Sequence, residues 1–534
     1  MAVRERFIFL GEAGQQIGSS LDHLQASRTL AEVLVPRLAD FVAVELLERV
    51  AAADWAPASH VVDATTLMRR VAVVHDGEPG RWDDTIPEGE ALFLPDDTPF
   101  AEAMRTGRAV HVPRRALLVV PLVARGQVLG TFKLLRKASR SGFDELDVAV
   151  VDELARRAAL CIDNGRLYRR EVQMVQELQR TMLPAEAPRI AGARVCFRYR
   201  PAGQVAQVGG DWFDAIPLPG CRLGIVIGDV MGHGVTSAAI MGQLRTAVRT
   251  LAMQDLRPDQ MLRHLDDLAQ RLGEGCVATC LYAVYDPVDR RCQIANAGHL
   301  PPVLVSPYGE TAVLRVPSGV PIGVGDESSE SFETVEFPVA DGARLVLCTD
   351  GLLEHRDRDV VEGLETLRGC LADTGRPLDR TCDDIVDVLT PESPADDVAL
   401  VAVALDGIPK EDVAAWDLEA EASMVPRARA QATAKLLDWG LHDLVDTVEL
   451  LVSELVTNAL VHGAGAIGMR LIKGSTLLCE VNDDGYELPR LCQADANDES
   501  GRGLQLVSHL AERWGTHRTD LGKVVWFEML LGSP

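Results

Sequence analysis

Aspartates recur where apolar runs meet glycine between positions 211 and 397. GGDWFD supplies Asp211 and Asp214, GDVMGHG supplies Asp229, LCTDGLLE supplies Asp350, and SPADDVALVAV supplies Asp396 and Asp397. Hard divalent cations such as Mg²⁺ and Mn²⁺ take oxygen ligands, and carboxylates brought together at strand ends are suited to hold them. One such aspartate is ordinarily a turn residue. Four segments of this kind, three with glycine directly beside the aspartate, point to a metal centre. GDVMGHG also invites a phosphate-loop reading, but it lacks the Lys-Ser/Thr of a P-loop and the GxGxxG spacing of dinucleotide folds. Its glycines serve better as a sharp turn beside a metal. His233 within it is either a packing residue or a proton donor.

A second group lies near the C-terminus. DTVELLVSELVTNALVHGAG reads as an amphipathic helix in which Glu454, Asn458 and His462, spaced i, i+4, i+8, share one face. That face is either an exposed polar stripe or a base set beside a metal ligand. LLCEVNDDGYELP ends a strand in Asp483-Asp484-Gly485, and ESGRGLQLVSHLAERWG opens a helix at Gly501 and Gly503. A glycine turn at a helix N-terminus suits a phosphate.

The elements that must position these residues fall into four regions of a multidomain α/β and α+β chain. Residues 1–143 open with a helical pattern from Ile8 to Val50. They close on ALLVVPLVARGQVLGTFKLLR, two apolar strands about the turn Ala124–Gln127. Residues 144–188 begin with a proline-free helical stretch. In it Leu146, Val150, Leu154, Cys161, Tyr168, Val175, Leu178 and Met182 recur at steps of three, four or seven. That stripe is either plain core packing or the seam of a signalling coiled coil, and in the second case a homodimer forms through residues 144–182. Residues 189–408 are β-rich with interposed helices. Residues 409–534 begin within the acidic connector DGIPKEDVAAWDLEAE and end on the strand VVWFEML.

The first region resembles a GAF domain, a small sensory module, through its closing VPL…G.V.G pattern; the resemblance implies an unspecified signal or small-molecule ligand. The third, with CVATCLYAVYD, ANAGHLPPVLV and SGVPIGVG alongside the aspartate segments, resembles the metal-dependent (PPM) protein Ser/Thr phosphatases of the stage-II-sporulation type. This implies an α-β-β-α sandwich holding two Mn²⁺ or Mg²⁺ ions. Asp229 would bridge the two metals and the Val230 carbonyl would add a ligand, with Asp211 on one metal and Asp350 and Asp396 on the other, while Asp397 is the weaker candidate. The fourth resembles the GHKL (Bergerat) ATPases, the anti-sigma-factor serine kinases in particular. By that resemblance Asn458 would hold Mg²⁺, Glu454 would act as base, Asp483 would receive the adenine of ATP, and Gly485, Gly501 and Gly503 would line the nucleotide. The pattern departs from that family at Glu487, where a second glycine is common, and Arg502 and Lys523 are the nearby positive charges.

With 79 acidic against 53 basic residues, a formal charge of −26 and no run of five Lys/Arg, nucleic acid is not an expected partner. The eleven cysteines form no CxxC pair, as expected of reduced thiols in the cytoplasm. Neither a signal peptide nor a membrane-length apolar run is legible. The expectation is a sensor-regulated serine/threonine phosphatase acting on an anti-anti-sigma-type phosphoprotein. Its C-terminal domain would phosphorylate or sequester that partner, or hold a sigma factor. The alternative is a phosphatase of broader range with a non-catalytic C-terminal binding module.

Overall fold

The computed structural model describes residues 3–18, 22–52, 66–78, 81–82, 85–184, 186–202, 209–232, 234–273, 275–324, 332–355, 358–391, 394–419, 421, 423–485, 487–489, 503–519 and 522–531. His233, Gly501 and Arg502 lie outside them. The chain divides into two compact units, Met1–Gln176 and Glu177–Pro534.

The first unit is built on a six-stranded antiparallel sheet in the order Ala91–Phe93, Leu67–His75, Phe41–Leu47, Gln127–Leu135, Leu117–Ala124, Val110–Val112. Ala124 pairs with Gln127, and Arg125 and Gly126 between them both have positive φ, the two-residue turn whose twist matches a hairpin. The helical pattern expected from Ile8 to Val50 is interrupted. Helices span Val3–Ile17 and His23–Leu34, Pro36 cannot extend the second, and FVAVELL is a strand buried along its whole length. Its central place in the sheet hides both faces, so the alternation that marks a half-exposed strand is absent.

A helix runs over Glu145–Met182. In its first half Val151, Leu154, Ala155, Ala158, Ala159 and Ile162 are buried in the core of the first unit, while Leu146 is exposed. Over these residues the stripe is core packing, along a face partly different from the one its periodicity suggested.

In the second unit, two sheets stack. One has the order Ser318–Gly319, Arg291–Ala297, Ala278–Asp286, Leu223–Val230, Asp211–Pro217; the other Thr311–Val313, Val303–Val305, Ala343–Cys348, Val398–Leu405, Ala193–Arg200. Phe213, Ile225, Ile227, Leu281 and Ile294 of the first meet Leu345, Leu347, Val401 and Val403 of the second in one core. The alternate residues of the first sheet, Trp212, Val226 and Tyr282, pack outward against helices Val235–Ala252 and Pro258–Leu272. Helices Val360–Leu371 and Leu378–Leu389 cover the second sheet. The α-β-β-α sandwich expected of this region is the observed fold.

The last region is a two-layer α/β sandwich. Its antiparallel sheet runs Val413–Leu418, Ile467–Lys473, Thr476–Asp483, Gly522–Leu530, Arg513–Thr519, and helices Met424–Asp438, Val445–His462 and Gly503–Leu510 cover one face. The acidic connector is in part the edge strand of this sheet, Val413–Leu418. Ile472, Leu478 and Trp526 on the other face pack with Ile408, Cys221 and Val288. No helix among the described residues is long and apolar enough to cross a membrane.

Candidate active site

The strand Leu223–Val230 carries Asp229 near its end, and the antiparallel neighbour Asp211–Pro217 begins at Asp211, so register places the two aspartates directly opposite each other. Direct partners in an antiparallel pair project from the same side of the sheet. In the facing sheet, Thr349 follows the strand Ala343–Cys348 and is tied to the strand Val398–Leu405 twice. Its N–H donates to the Ala399 carbonyl (3.1 Å) and its Oγ1 accepts from the Ala399 N–H (2.9 Å). This clamp brings Asp350 next to Asp396, whose Oδ1 accepts from the Asp397 N–H (2.8 Å).

Gly209 and Gly210 let the two sheet ends close. A Cβ on Gly210 would lie 2.2 Å from the Val230 carbonyl oxygen, and one on Gly209 would lie 1.9 Å from Asp397 Oδ2. Asp397 itself is buried. Its carboxylate accepts from the Tyr199 hydroxyl and from the Ala202 N–H at 2.8 Å, so it ties down the end of the strand Ala193–Arg200 and Ala202 just beyond it. Sequence reasoning weighed Asp397 as a ligand and passed over Tyr199 and the two glycines, because their roles depend on contacts almost 200 residues apart.

These carboxylates share one electrostatic neighbourhood, and among the described residues the charged groups that weigh most on Asp211, Asp229 and Asp350 are other carboxylates. Burial, and then Asp229 and Asp397, raise the Asp211 carboxyl well above the usual range, against a hydrogen bond with Thr349. Asp229 is pushed up to about 7 by burial, then by Asp350 and Asp396 of the opposite sheet, and a hydrogen bond with Asp211 opposes the shift. Asp350 is raised by burial and by Asp396. Asp211 Oδ2 is buried and has no hydrogen-bond partner. Among the described residues no three ligating side chains converge into a finished metal cage. The set is instead a ring of repelling carboxylates with an orphaned oxygen, whose charge is relieved by a cation or by protons. Mn²⁺ or Mg²⁺ fits that donor chemistry.

A pH dependence follows. Without metal, the folded chain keeps a proton on Asp229 that the unfolded chain releases near pH 4, so raising the pH from about 4 to about 7 destabilises the metal-free fold. A metal must displace that proton, so its affinity grows with pH across the same window. The rise in melting temperature on adding Mn²⁺ is therefore expected to be larger at pH 8 than at pH 6; the reverse order would contradict this assignment.

His299 is a further residue that sequence reasoning left without a role. It is buried, its Nδ1 lies 2.8 Å from Thr279 Oγ1, and Thr279 is the register partner of Asp229. Asn296 fixes its backbone through two hydrogen bonds of 2.8 and 2.9 Å. Burial pushes the imidazole down to about 4, so it is neutral near pH 7. His299→Ala is expected to weaken Mn²⁺ binding by less than the about 10- to 100-fold that losing a group bonded directly to a metal ligand costs, because Thr279 stands between it and Asp229. Calorimetric titration checks this, and unchanged affinity would exclude the role.

In the C-terminal region Glu454 and Asn458 lie half-buried on the helix Val445–His462, and Asn458 Nδ2 has no partner. A Cβ on Gly503 would lie 2.4 Å from Glu454 Oε2, so the helix that Gly503 opens rests against Glu454. The Gly485 N–H donates to Asp483 Oδ1 at 2.8 Å. Lys523, one of the two nearby positive charges, is buried at the start of the strand Gly522–Leu530, which has a neighbour on either side in the sheet. Its Nζ lies 3.3 Å from Asp483 Oδ1, and both side chains are 1% exposed.

Comparison with known proteins places three domain families on the chain. Residues 22–162 match the GAF domain, 219–406 match Stage II sporulation protein E (SpoIIE), and 418–529 match the histidine kinase-like ATPase domain. The chain is similar to the phosphoserine phosphatases RsbP and RsbU of Bacillus subtilis. The match to RsbP is 31% identical over 28% of this chain and 38% of RsbP, and that to RsbU is 25% identical over 35% of this chain and 54% of RsbU. It thus spans about two fifths to one half of the length of these relatives. Among solved structures, the RsbU and RsbW domains of Rv1364c from Mycobacterium tuberculosis are 27% identical, cover 66% of this chain and 96% of that one, and superpose with a TM-score of 0.41.

Proposed function

We infer, from a chain that carries a GAF domain, a SpoIIE-type phosphatase domain and a histidine kinase-like ATPase domain in that order, that it is a sensor-regulated, metal-dependent protein serine/threonine phosphatase of the cytoplasm. Its substrate on this reading is an anti-anti-sigma-type phosphoprotein. The observation that carries the reading is the set of mutually repelling carboxylates drawn from both sheets, with Asp211 Oδ2 left unpartnered. The names of the relatives RsbP and RsbU, both phosphoserine phosphatases, support the reaction class.

We assign Asp229 to both metals of the pair, with the Val230 carbonyl as a further ligand, Asp211 to one of them, and Asp350 and Asp396 to the other. When bound, two divalent cations supply charge that grips phosphoryl oxygens and lowers the pKa of a bound water toward neutrality. The chain's own work is positional. The Asp211–Asp229 register and the Thr349 clamp hold the carboxylates on facing sheets, and Asp397 holds the glycine pair that lets them meet.

Control is assigned to a signal received by residues 1–143 and carried through residues 144–188. At the far end of that segment the Met182 carbonyl accepts from Arg245, whose Nε donates to the buried Asp214 at 2.8 Å, on the strand that begins at Asp211. The C-terminal domain is assigned to phosphorylating or sequestering a member of the same partner system, or to holding a sigma factor. The test is phosphate release from a phosphoserine-bearing anti-anti-sigma protein by the full chain. Release is expected with Mn²⁺ and abolished by a chelator. Equal rates on unrelated phosphoproteins would favour the broader phosphatase, and no release at all would overturn the reading.

A further inference from the structure

We propose that the phosphoprotein substrate presents apolar, uncharged side chains beside its phosphoserine, and that these rest on an exposed lip formed by Met231, Val235, Val320 and Val324. The proposal rests on the phosphatase reading and names the recognition surface of that same site. The four side chains are between 40% and 69% exposed. Backbone pairing gathers them at the end of the sheet that carries Asp229. Met231 is two residues beyond Asp229, and its N–H donates to the Val277 carbonyl at 2.8 Å. Ala278 is the register partner of Val230, and Thr279 that of Asp229. Ala278 also exchanges hydrogen bonds of 2.8 and 3.0 Å with Ile322. The segment Val320–Val324 and the end of the Asp229 strand thus flank the same short stretch, roughly 10 Å apart at two strand spacings. Ile322, fully buried between the two exposed valines, pins that segment. Val235 opens the helix Val235–Ala252, four residues after Met231.

The position of the lip decides its occupant. Consecutive Cα atoms lie about 3.8 Å apart, so when a phosphoserine reaches Asp229 its neighbours settle on the residues that border that aspartate. Among the described residues of 229–236, 277–279 and 318–324, Asp229 carries the only charge. That is unusual on a chain of formal charge −26, whose field repels a phosphorylated partner. Single exposed apolar residues are ordinary, but several gathered beside a site mark a surface that is covered in use. Apolar side chains next to the phosphoserine gain by leaving water on this lip. Polar ones lose hydration there, because the exposed side chains of the lip have no donor or acceptor to return.

The test compares kcat/KM of the full chain with Mn²⁺ on two phosphoserine peptides. They are alike except that leucines flank the phosphoserine in one and glutamines in the other, so size and charge are matched. Wild type is expected to prefer the leucine peptide about tenfold or more. In Val320→Ser/Val324→Ser, shown to be folded by circular dichroism, the preference is expected to fall to about threefold or less. Because a ratio is read, a general loss of turnover does not imitate the effect. A wild-type ratio near one, a preference for the glutamine peptide, or a ratio that the folded double variant leaves unchanged overturns the proposal. Should the double variant not fold, the wild-type ratio decides alone. Release from p-nitrophenyl phosphate but from neither peptide overturns this proposal by itself, whereas release from none of the three overturns the phosphatase reading with it.

Discussion

Asp229→Asn is expected to lower Mn²⁺-dependent phosphate release about a thousandfold or more, since the metal ions carry several kcal/mol of transition-state stabilisation and each 1.36 kcal/mol is tenfold in rate. Asp229 faces Asp211 within its own sheet and is pushed up to about 7 by burial and by Asp350 and Asp396 across the sandwich. It is thus the carboxylate through which the two sheets meet. The amide keeps the shape and removes the charge. The same substitution relieves repulsion in the metal-free protein, so above pH 7 the metal-free variant is expected to melt no lower than metal-free wild type. Loss of activity without loss of stability separates a metal ligand from a structural residue. Phosphate release and thermal melting, run on the same preparations with and without Mn²⁺, check both halves. Retained release, or a lower metal-free melting temperature, would contradict the assignment.

The second large effect concerns the buried pair in the C-terminal domain. Lys523→Met is expected to destabilise that domain by about 3–5 kcal/mol, because it leaves the Asp483 carboxylate buried without its cation. Replacing both partners, Asp483→Asn/Lys523→Met, is expected to recover most of that loss, since neither charge remains to be paired. Hydrogen exchange of the amides in Thr476–Asp483 and Gly522–Leu530 reads the local opening free energy of the two strands. Equal losses in the single and double variants would mean that side-chain volume, not charge, governs the site.

The sandwich and the positions of Asp211, Asp229, Asp350 and Asp396 were legible because aspartate and glycine at the margins of apolar runs are local signals. The strands RLGIVI, ARLVLC and DVALVAVAL announce themselves by β-branched and apolar content, and the helix Val235–Ala252 by the glycine turn before it. The features that hold the site were not legible. Nothing local links Tyr199 to Asp397, His299 to Thr279, or Gly209 to a carboxylate in the opposite sheet; each pairing arises only when the sheets stack. The stripe over 144–182 shows the same limit from another side. Periodicity reports that a helix buries a face, and cannot tell a core from a coiled-coil seam. FVAVELL, hidden on both faces, lacked the alternation that would have separated it from the helices before it. The sequence marks Lys523 only as a nearby positive charge, because its register against Asp483 is not a local signal.

The central claim is that carboxylates from two facing sheets form a two-metal phosphatase site. Its most direct test is a titration of the metal-free full chain with Mn²⁺ at pH 8, with bound metal and phosphate release from a phosphoserine protein followed together. The account predicts that release rises from background and saturates as two Mn²⁺ are bound per chain, and that Asp229→Asn abolishes both. Release that persists in the chelated protein, or saturating Mn²⁺ binding that Asp229→Asn leaves unchanged, would contradict it.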